Sequence, residues 1–194
     1  MSEPLLRARE VGRAFGEVTA LRPTSLEVHA GDLLAVTGPS GTGKSTLVSI
    51  LAGWDEPSTG AVERPVRTVF VPQRLALVDT LTVLDNIALA DESRAAEVAG
   101  LARALAVDHL LDRFPGETSL GERQRIGLAR ALHARAAVTI LDEPTAHQDA
   151  GHTDLVLTAV LAAVRPGDGR AVVVATHDPV VVAIASRVAQ LDAS

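Results

Sequence analysis

The sequence predicts an α/β fold with a mostly parallel central sheet, antiparallel β-strands at the N-terminus and a small inserted helical lobe. Three observations predict this fold. Short apolar runs of strand length recur along the chain, and several of them end at polar residues. A glycine-rich loop at residues 38–46 separates one such run from an apolar segment of helical character. Between about residues 75 and 115, β-branched runs give way to Ala, Leu and Arg at helical spacing.

The composition of the 194-residue chain agrees with this fold and excludes several classes of function. Apolar residues make up 47% and aromatic residues only 2%, so the core needs the many aliphatic contacts of a parallel sheet covered by helices. The net charge of −6 indicates no general affinity for nucleic acid. Without cysteine, the sequence has neither a disulfide framework nor a thiolate metal site.

The sequence shows no targeting or membrane-spanning segment. Residues 1–4 lack the basic and apolar regions of a secretory signal. No stretch reaches the roughly 18 consecutive apolar residues that mark a transmembrane helix. We therefore expect a cytoplasmic protein.

In chain order, the first elements are two short strands at 5–12 and 24–30, with Phe15–Gly16 and Arg22–Pro23 in the connection. Phe15 is either a core residue or a flat apolar surface on which a nucleotide base can stack. Taken alone, the residues favour the core.

The glycine-rich loop follows, with the pattern G-x-x-x-x-G-K-[ST] between a strand at 32–37 and a helix at 44–52. Its glycines allow close approach of the backbone to a ligand, and its N–H groups and the helix N-terminus favour an anion. Lys44 adds a positive charge at the β- and γ-phosphates, and Ser45 offers a hydroxyl to Mg²⁺. A turn that only caps a helix is the alternative, and the spacing of Lys and Ser argues against it. The predicted phosphate-binding residues are Gly38, Pro39, Ser40, Gly41, Thr42, Gly43, Lys44, Ser45 and Thr46.

The next strand, predicted at 66–71 after a turn at 57–60, ends at Pro72–Gln73. A polar side chain at the carboxyl end of a buried strand lies where ligands bind in open α/β sheets. Gln73 is therefore a candidate ligand contact. An ordinary strand-end residue is the alternative, and alone it is the simpler interpretation.

The helical segment that follows is interpreted as a lobe inserted into the α/β core. It closes with a long helix from about 120 to 135. Ser119 and Glu122 have the spacing of a capping box, in which each side chain bonds to the other residue's backbone N–H. That structural role alone explains both residues. The predicted single domain consists of a core at about 1–73 and 136–194 and a lobe at about 74–135.

The strand predicted at 137–143 ends in two adjacent carboxylates, Asp142 and Glu143. Burial of a carboxylate is unfavourable unless another group compensates its charge. Mg²⁺ can compensate Asp142, and Glu143 can act on an attacking water. An acidic pair that points at solvent is the alternative, and the phosphate loop about 100 residues upstream favours the metal and the water.

Asp149 is a suitable N-cap for a helix at 150–164. A buried strand at 171–176 then ends at His177, again at the edge of the sheet where the ligand crevice is expected. The other five histidines are expected at the surface or in loops. The last predicted elements are a helix at 179–186 and a strand at 187–192.

Together these pieces resemble the ATP-binding-cassette (ABC) ATPases over nearly the whole chain. The most specific part is the segment at 124–132, Gln-Arg-Ile-Gly-Leu-Ala-Arg-Ala-Leu, directly after a capped helix start. Phosphate loops and acidic strand ends occur in many nucleotidases, whereas that segment with His177 in register is typical of this family. The other matching pieces are the phosphate loop, Gln73, residues 119–125, residues 141–145 and Asp149.

The resemblance implies roles for individual residues. It implies that Phe15 stacks on adenine, and that Gln73 meets Mg²⁺ and the attacking water and senses a membrane partner. It implies that Glu143 is the general base and that His177 contacts the γ-phosphate. Asp149 is similar to the residue that couples two subunits across their interface.

The signature segment of the family, usually Leu-Ser-Gly-Gly-Gln, reads Thr-Ser-Leu-Gly-Glu here. Ser119 and Gly121 match and Glu122 is a frequent substitute, so the resemblance implies that they meet a nucleotide between two subunits. Leu120 replaces a glycine that lets the γ-phosphate approach, and its β-carbon crowds that approach. His147–Gln148 also replaces the Ala-Leu that the family often has. These departures argue against efficient ATP hydrolysis in a symmetric homodimer. The alternative is a heterodimer, in which this chain pairs with a different subunit.

The resemblance implies Mg²⁺ and ATP as cofactors, a dimer that sandwiches the nucleotide, and separate integral membrane permease subunits. The cassette would then lie on the cytoplasmic face of the cell membrane. A soluble ABC-family ATPase in DNA repair, translation or cluster assembly is the second functional class. Repair members usually carry a long coiled-coil insertion and translation members usually fuse two cassettes. This sequence has neither feature, which favours the transporter subunit.

Overall fold

The computed structural model describes residues 3–73, 77–165 and 167–192. Its strands are β1 (Leu6–Phe15), β2 (Val18–Val28), β3 (Leu33–Thr37), β4 (Thr59–Glu63), β5 (Thr68–Val71), β6 (Val138–Asp142), β7 (Ala171–Ala175) and β8 (Arg187–Gln190). Its α-helices are α1 (Lys44–Ala52), α2 (Val83–Ala88), α3 (Val98–Ala104), α4 (Leu120–His133), α5 (Ala150–Ala163) and α6 (Pro179–Ile184). Short 3-10 helices lie at Glu92–Glu97, Asp108–Leu110 and Pro115–Glu117.

Five strands form the central sheet in the order β5-β6-β7-β3-β8, and every neighbouring pair is parallel. The predicted parallel sheet is therefore confirmed. β6 and β7 are buried along their whole length, which explains why their sequences are continuous apolar runs. The carboxyl ends of β3, β6 and β7 lie side by side. The phosphate loop, the acidic pair and His177 are found at these ends.

Apolar layers cover both faces of the central sheet, and alternate residues of each strand supply them. In β7, Val172 and Val174 pack toward α5 and the helical segment, whereas Val173 packs toward α1 and β1. α1 buries Leu47, Val48, Ile50 and Leu51 in the second layer. The helix that carries the phosphate loop is thus fixed to the sheet by four apolar side chains.

A separate antiparallel sheet has the order β2-β1-β4. It confirms the predicted antiparallel start, but the strands are longer than predicted, and Arg22 and Pro23 lie inside β2 and not in a connection. β2 is an edge strand, where proline is tolerated, and register shifts between β1 and β2 accommodate the irregular pairing. β4 was not predicted. It begins inside the expected turn at 57–60, and Gly60 (φ 74°) lets the chain lie against β1.

The segment between β5 and β6 is helical, as the spacing of its apolar residues predicted. α2 and α3 pack on α4, and they bury Val83, Ile87 and Val98 in the same core as β6 and β7. α4 ends at His133, two residues earlier than predicted. His133 is fully buried, and its Nε2 lies 2.9 Å from the carbonyl oxygen of Asp91, so the expectation that it lies at the surface is wrong.

Within the described ranges, no helix has both the length and the apolar character needed to cross a membrane.

Candidate functional site

A cavity of about 540 Å³ lies at the carboxyl ends of the central strands. It brings together residues from five distant parts of the sequence: the start of β2, the phosphate loop, Gln73, the end of β6 and the end of β7. Its volume is in the range of small-molecule sites. The lining residues are Val18, Thr19, Ala20, Ser40, Gly41, Gly43, Lys44, Ser45, Thr46, Gln73, Glu143, Ala146 and His177.

The conformation of the phosphate loop depends on glycine. Gly38 and Gly43 have φ values of 147° and 91°, which disfavour other residues. A β-carbon added at Gly43 would lie 2.3 Å from the carbonyl oxygen of Ala20, and one at Gly38 would lie 2.6 Å from that of Leu191. Both glycines therefore permit close backbone approaches that fix the loop against β2 and the segment after β8.

The side chain of Lys44 bonds back to the backbone of the phosphate loop. Its Nζ donates hydrogen bonds to the carbonyl oxygens of Gly38 at 2.8 Å and Pro39 at 3.1 Å. Thr42 is buried, and its hydroxyl also donates to the Pro39 carbonyl at 2.9 Å. These bonds hold the ammonium group directly over the loop.

The helix α1 begins at the end of this loop, directly after Gly43. The N-cap is Gly43, which has no side chain, and the first turn carries no acidic residue. The uncapped N–H groups and the positive end of the helix dipole therefore remain available to an anion.

Asp142 lies within hydrogen-bond distance of Ser45 and is only 7% exposed. Burial raises the pKa of its carboxyl, whereas the hydrogen bond that Ser45 Oγ donates to Oδ1 at 3.2 Å lowers it. The neighbouring charge of Glu143 also raises this pKa. The site thus holds a carboxylate in an environment that favours a compensating cation.

Glu143 is held in an unusual backbone conformation at the end of β6. Its φ is 50°, a region that non-glycine residues seldom occupy and that is enriched at functional sites. Its Oε1 lies 2.9 Å from Nδ1 of His177, and its Oε2 accepts a bond from the Thr176 hydroxyl at 3.3 Å. The carboxylate is thereby oriented by two residues that follow β7.

Phe15 does not line the cavity. It is 54% exposed, so the interpretation as a core residue is wrong, and the guanidinium of Arg13 lies 4.5 Å from its ring centre. One face of the ring is therefore covered by a cation. The β2 residues that do line the cavity, Val18, Thr19 and Ala20, were missed, because nothing in their types marks a ligand contact.

The second predicted group lies at the start of α4 and outside this cavity. The capping box is confirmed, since Ser119 Oγ accepts from the Glu122 N–H at 3.3 Å and Glu122 accepts from the Ser119 N–H at 2.7 Å. These bonds lower the pKa of Glu122. Leu120, the first residue of the helix, is 50% exposed. Ser119, Gly121 and Glu122 are thus not among the residues that line the cavity.

Asp149 caps α5, as predicted, by accepting a hydrogen bond from the His152 N–H at 2.9 Å. It also lies 2.8 Å from Nδ1 of His152, and these contacts lower its pKa. Asp149 is exposed and, like the start of α4, does not line the cavity.

Comparisons with known proteins find relatives along nearly the whole chain. The profile of the ABC transporter family matches residues 21–146. The chain is 39% identical over 166 residues to the spermidine/putrescine import ATP-binding protein PotA of Chromobacterium violaceum, which covers 75% of this chain and 45% of that protein. It is 35% identical over 216 residues to the macrolide export ATP-binding/permease protein MacB 1/2 of Paracoccus denitrificans. That match covers 97% of this chain and 32% of the relative. The chain thus spans less than half the length of these relatives.

Solved structures share the fold over most of their length. A dimeric ATP-binding cassette in a post-hydrolysis state with ADP and Pi matches with a TM-score of 0.83 and 27% identity, covering 96% of this chain and 94% of that one. A dimeric bacterial ABC transporter cassette matches with a TM-score of 0.86 and 26% identity over the same shares of the two chains.

Proposed function

Since the chain belongs to the ABC transporter family, we propose that it binds and hydrolyses ATP and thereby energises a transporter whose permease subunits are separate chains. The observation that supports this most strongly is the convergence of Lys44, Ser45, Glu143 and His177 on one cavity. These residues come from three different loops of the fold. Together they offer groups for a phosphate, a hard cation and an attacking water.

The phosphate loop is the proposed site of the triphosphate. Its glycines and the uncapped start of α1 present N–H groups, and Lys44 supplies a full positive charge. The Lys44 ammonium, now bonded to two carbonyl oxygens of the loop, would exchange these bonds for bonds to phosphate oxygens. Bonds between charged partners are stronger than those to neutral carbonyls.

Mg²⁺ fits the groups around Asp142. The hydroxyl of Ser45, the carboxylate of Asp142 and the side-chain oxygen of Gln73 are the hard oxygen donors that Mg²⁺ prefers. The burial of Asp142 agrees with a cation nearby, because a buried carboxylate requires compensation. When bound, the ion would neutralise part of the charge on the phosphates. Water would complete its coordination, as is usual for Mg²⁺.

Glu143 is the proposed general base that orients a water for in-line attack on the γ-phosphate. The contacts with Thr176 and His177 orient its carboxylate, and Glu143 lines the cavity. His177, with a side chain that is 78% exposed, has the freedom to leave Glu143 and contact the γ-phosphate. Gln73 completes the proposed set of residues around the reacting group.

The start of α4 is proposed to serve the nucleotide site of a second subunit. Ser119, Gly121 and Glu122 lie outside the cavity of their own chain, so a facing subunit is needed for them to meet a nucleotide. The two similar cassettes above were solved as dimers. Asp149 and Phe15 are proposed to act at the subunit interface and at the adenine, respectively.

A heterodimer with another ABC subunit is the arrangement that Leu120 favours. Its exposed side chain occupies the place where the family usually has glycine. A homodimer would present that side chain to both nucleotide sites, whereas a heterodimer presents it to one.

The proposed location is the cytoplasmic face of the cell membrane, where the chain would attach to its permease. The relatives named above act on different compounds, so they do not indicate a substrate for this chain. Purification from a detergent extract tests the transporter role, because a membrane protein should then remain attached to the cassette.

The substitution Glu143→Gln tests the catalytic assignment. It keeps the size of the side chain and one acceptor oxygen but removes its basicity. We expect ATP turnover to fall about 100-fold or more, while Mg²⁺-dependent ATP binding remains, because a general base contributes about 10²–10⁴-fold. Steady-state phosphate release and equilibrium ATP binding measure the two effects. Hydrolysis at the parent rate would show that Glu143 is not the base.

A further inference from the structure

The side chain of Gln148 joins the loop between Glu143 and Asp149 to α4 by hydrogen bonds. Its Nε2 donates to the carbonyl oxygen of Gly121 at 3.1 Å and to Oε1 of Gln124 at 2.9 Å. Its Oε1 accepts a bond from Nη1 of Arg125 at 2.7 Å. Both amide protons and the amide oxygen of Gln148 are therefore engaged, which is close to the full capacity of the group.

The three partners of Gln148 lie on one face of α4, because Gly121, Gln124 and Arg125 are three and four residues apart. Gln124 and Arg125 are 6% and 5% exposed. Away from water, such a network is strong when every member is paired. Arg125 also donates from Nε to the carbonyl oxygen of Leu105 at 2.9 Å, immediately after α3. The network thus extends from the loop after β6 into the helical segment.

The backbone of this loop fits closely against α4. A β-carbon added at Gly121 would lie 3.0 Å from the carbonyl oxygen of His147, so the contact leaves little space. Within the loop, the Ala146 N–H donates to the Glu143 carbonyl at 3.1 Å, and the Gln148 N–H donates to the Thr145 carbonyl at 3.3 Å. These turns connect Gln148 to Glu143 through a short and internally bonded segment.

From this arrangement we infer that Gln148 is a positioning residue, which fixes the loop behind Glu143 to the first turns of α4. The inference rests on the proposed function of Glu143 and of the α4 start. Through the bonds of Gln148, the carboxylate of Glu143 and the surface that carries Ser119 would move as one unit. Among the residues that the structure describes, no hydrogen bond joins the phosphate loop to this network, so hydrolysis should depend on Gln148 more than nucleotide binding does.

Two substitutions distinguish two roles of Gln148: fixing the loop to α4, or only accepting a hydrogen bond from Arg125. Gln148→Leu removes all three bonds. Gln148→Glu keeps an acceptor for Arg125 but has no proton for Gly121 or Gln124. The matched control is Gln190→Leu, because Gln190 is exposed on β8 and its side chain has no place in the proposed site. All variants are prepared with whatever subunit accompanies the parent chain.

We expect Gln148→Leu and Gln148→Glu each to lower kcat for Mg²⁺-ATP about tenfold, with the Kd for ATP unchanged within about twofold. Gln190→Leu should behave as the parent. A Gln148→Glu protein that hydrolyses ATP at the parent rate would mean that Gln148 only pairs Arg125. A parallel loss of ATP affinity would equally overturn the inference.

Hydrogen exchange of the nucleotide-free chain provides a second measurement that does not depend on ATP. The amides of 120–124 and 145–149 should exchange faster in both Gln148 variants than in Gln190→Leu, because the bonds between these segments are lost. Unchanged exchange would contradict the inference. If the unsubstituted protein has no ATPase activity, the proposed function is refuted. The exchange rates would still decide whether Gln148 fixes the loop.

Discussion

At the residue scale, the site contains one residue with an unfavourably buried charge and one with an unfavourable backbone conformation. Asp142 is a buried carboxylate, and Glu143 has a left-handed backbone conformation. Each is unfavourable for folding, since desolvation of a charge and a non-glycine residue at positive φ both raise the free energy. Such states persist where the surrounding structure enforces them, here through the parallel strands on either side of β6. We interpret them as the consequence of a site built to hold a cation and a water.

The buried carboxylate leads to a prediction about stability. An acid with a raised pKa in the folded state destabilises the fold as pH rises above its ordinary value of 3.8, because the unfolded chain loses the proton first. At neutral pH, Asp142→Asn should therefore raise Tm by about 2–4 °C, the shift that about 1 kcal/mol produces in a chain of this size. Thermal unfolding without nucleotide measures this. The same variant should lose the added stability that Mg²⁺-ATP gives the parent, and a lower Tm would contradict the prediction.

Sequence patterns identified the residues whose chemistry is tied to a fixed spacing. Lys44, Ser45 and Glu143 lie in one cavity because a glycine-rich loop and an acidic pair each follow a buried strand. Val18 and Gln148 were not assigned a site role, because their contacts come from tertiary packing between segments far apart in the sequence. Nothing in their residue types indicates those contacts.

At the element scale, local signals located the helices better than the strands of the first sheet. The ends of α1, α4 and α5 lie within two residues of the predicted positions, since glycine, Ser119 and Asp149 provide strong capping signals. β4 and the full length of β2 depend on pairing with β1. Gly60 and Pro23 indicate a turn locally, and the pairing overrides that preference.

The 3-10 helix at Glu92–Glu97 is joined to the end of α4 by an ion-pair cluster. Glu97 accepts hydrogen bonds from Arg94 Nε at 2.9 Å and from Arg135 Nη2 at 2.9 Å. The hydrogen bond from Arg94, with the positive charges of Arg135 and Arg94, lowers the pKa of Glu97 from 4.5 to about 2. Because the folded-state value is lowered, the stabilisation is present above pH 4.5 and is lost as pH falls toward 2.

The substitution Glu97→Gln tests this pH dependence. Tm should fall less steeply between about pH 4.5 and 2 in the variant than in the parent, because the variant has no proton to take up at this position. The effect should shrink in high salt, since the side chain is 42% exposed and its pairs are screened. Parallel Tm profiles for the two proteins would show that Glu97 contributes nothing to acid sensitivity.

At the scale of the whole molecule, one chain presents only half of the proposed catalytic arrangement. Its cavity carries the phosphate loop, Glu143 and His177, whereas the residues at the start of α4 lie outside it. The fold class followed from the sequence because strands, loop and helices recur in a recognisable order. The sequence does not predict which subunit pairs with this chain, because a contact between two chains leaves no periodic pattern in the sequence of either chain.

Leu120 offers a test of the subunit arrangement. Replacement by glycine should raise the ATPase activity of the chain purified alone, about tenfold, because the side chain no longer crowds the γ-phosphate in a homodimer. Leu120→Ala should give a smaller increase, since it keeps the β-carbon. If Leu120→Gly leaves the activity of the isolated chain unchanged, crowding by Leu120 does not limit hydrolysis in a homodimer.

The central claim is that the loop around Lys44 binds the phosphates of ATP together with Mg²⁺, and equilibrium titration of the purified protein with ATP tests it most directly. The account predicts Mg²⁺-dependent binding by the parent and an affinity at least about 100-fold lower for Lys44→Ala, which corresponds to about 2.7 kcal/mol. Equal affinity in the two proteins, or no Mg²⁺-dependent binding by the parent with or without its partner subunit, would contradict it.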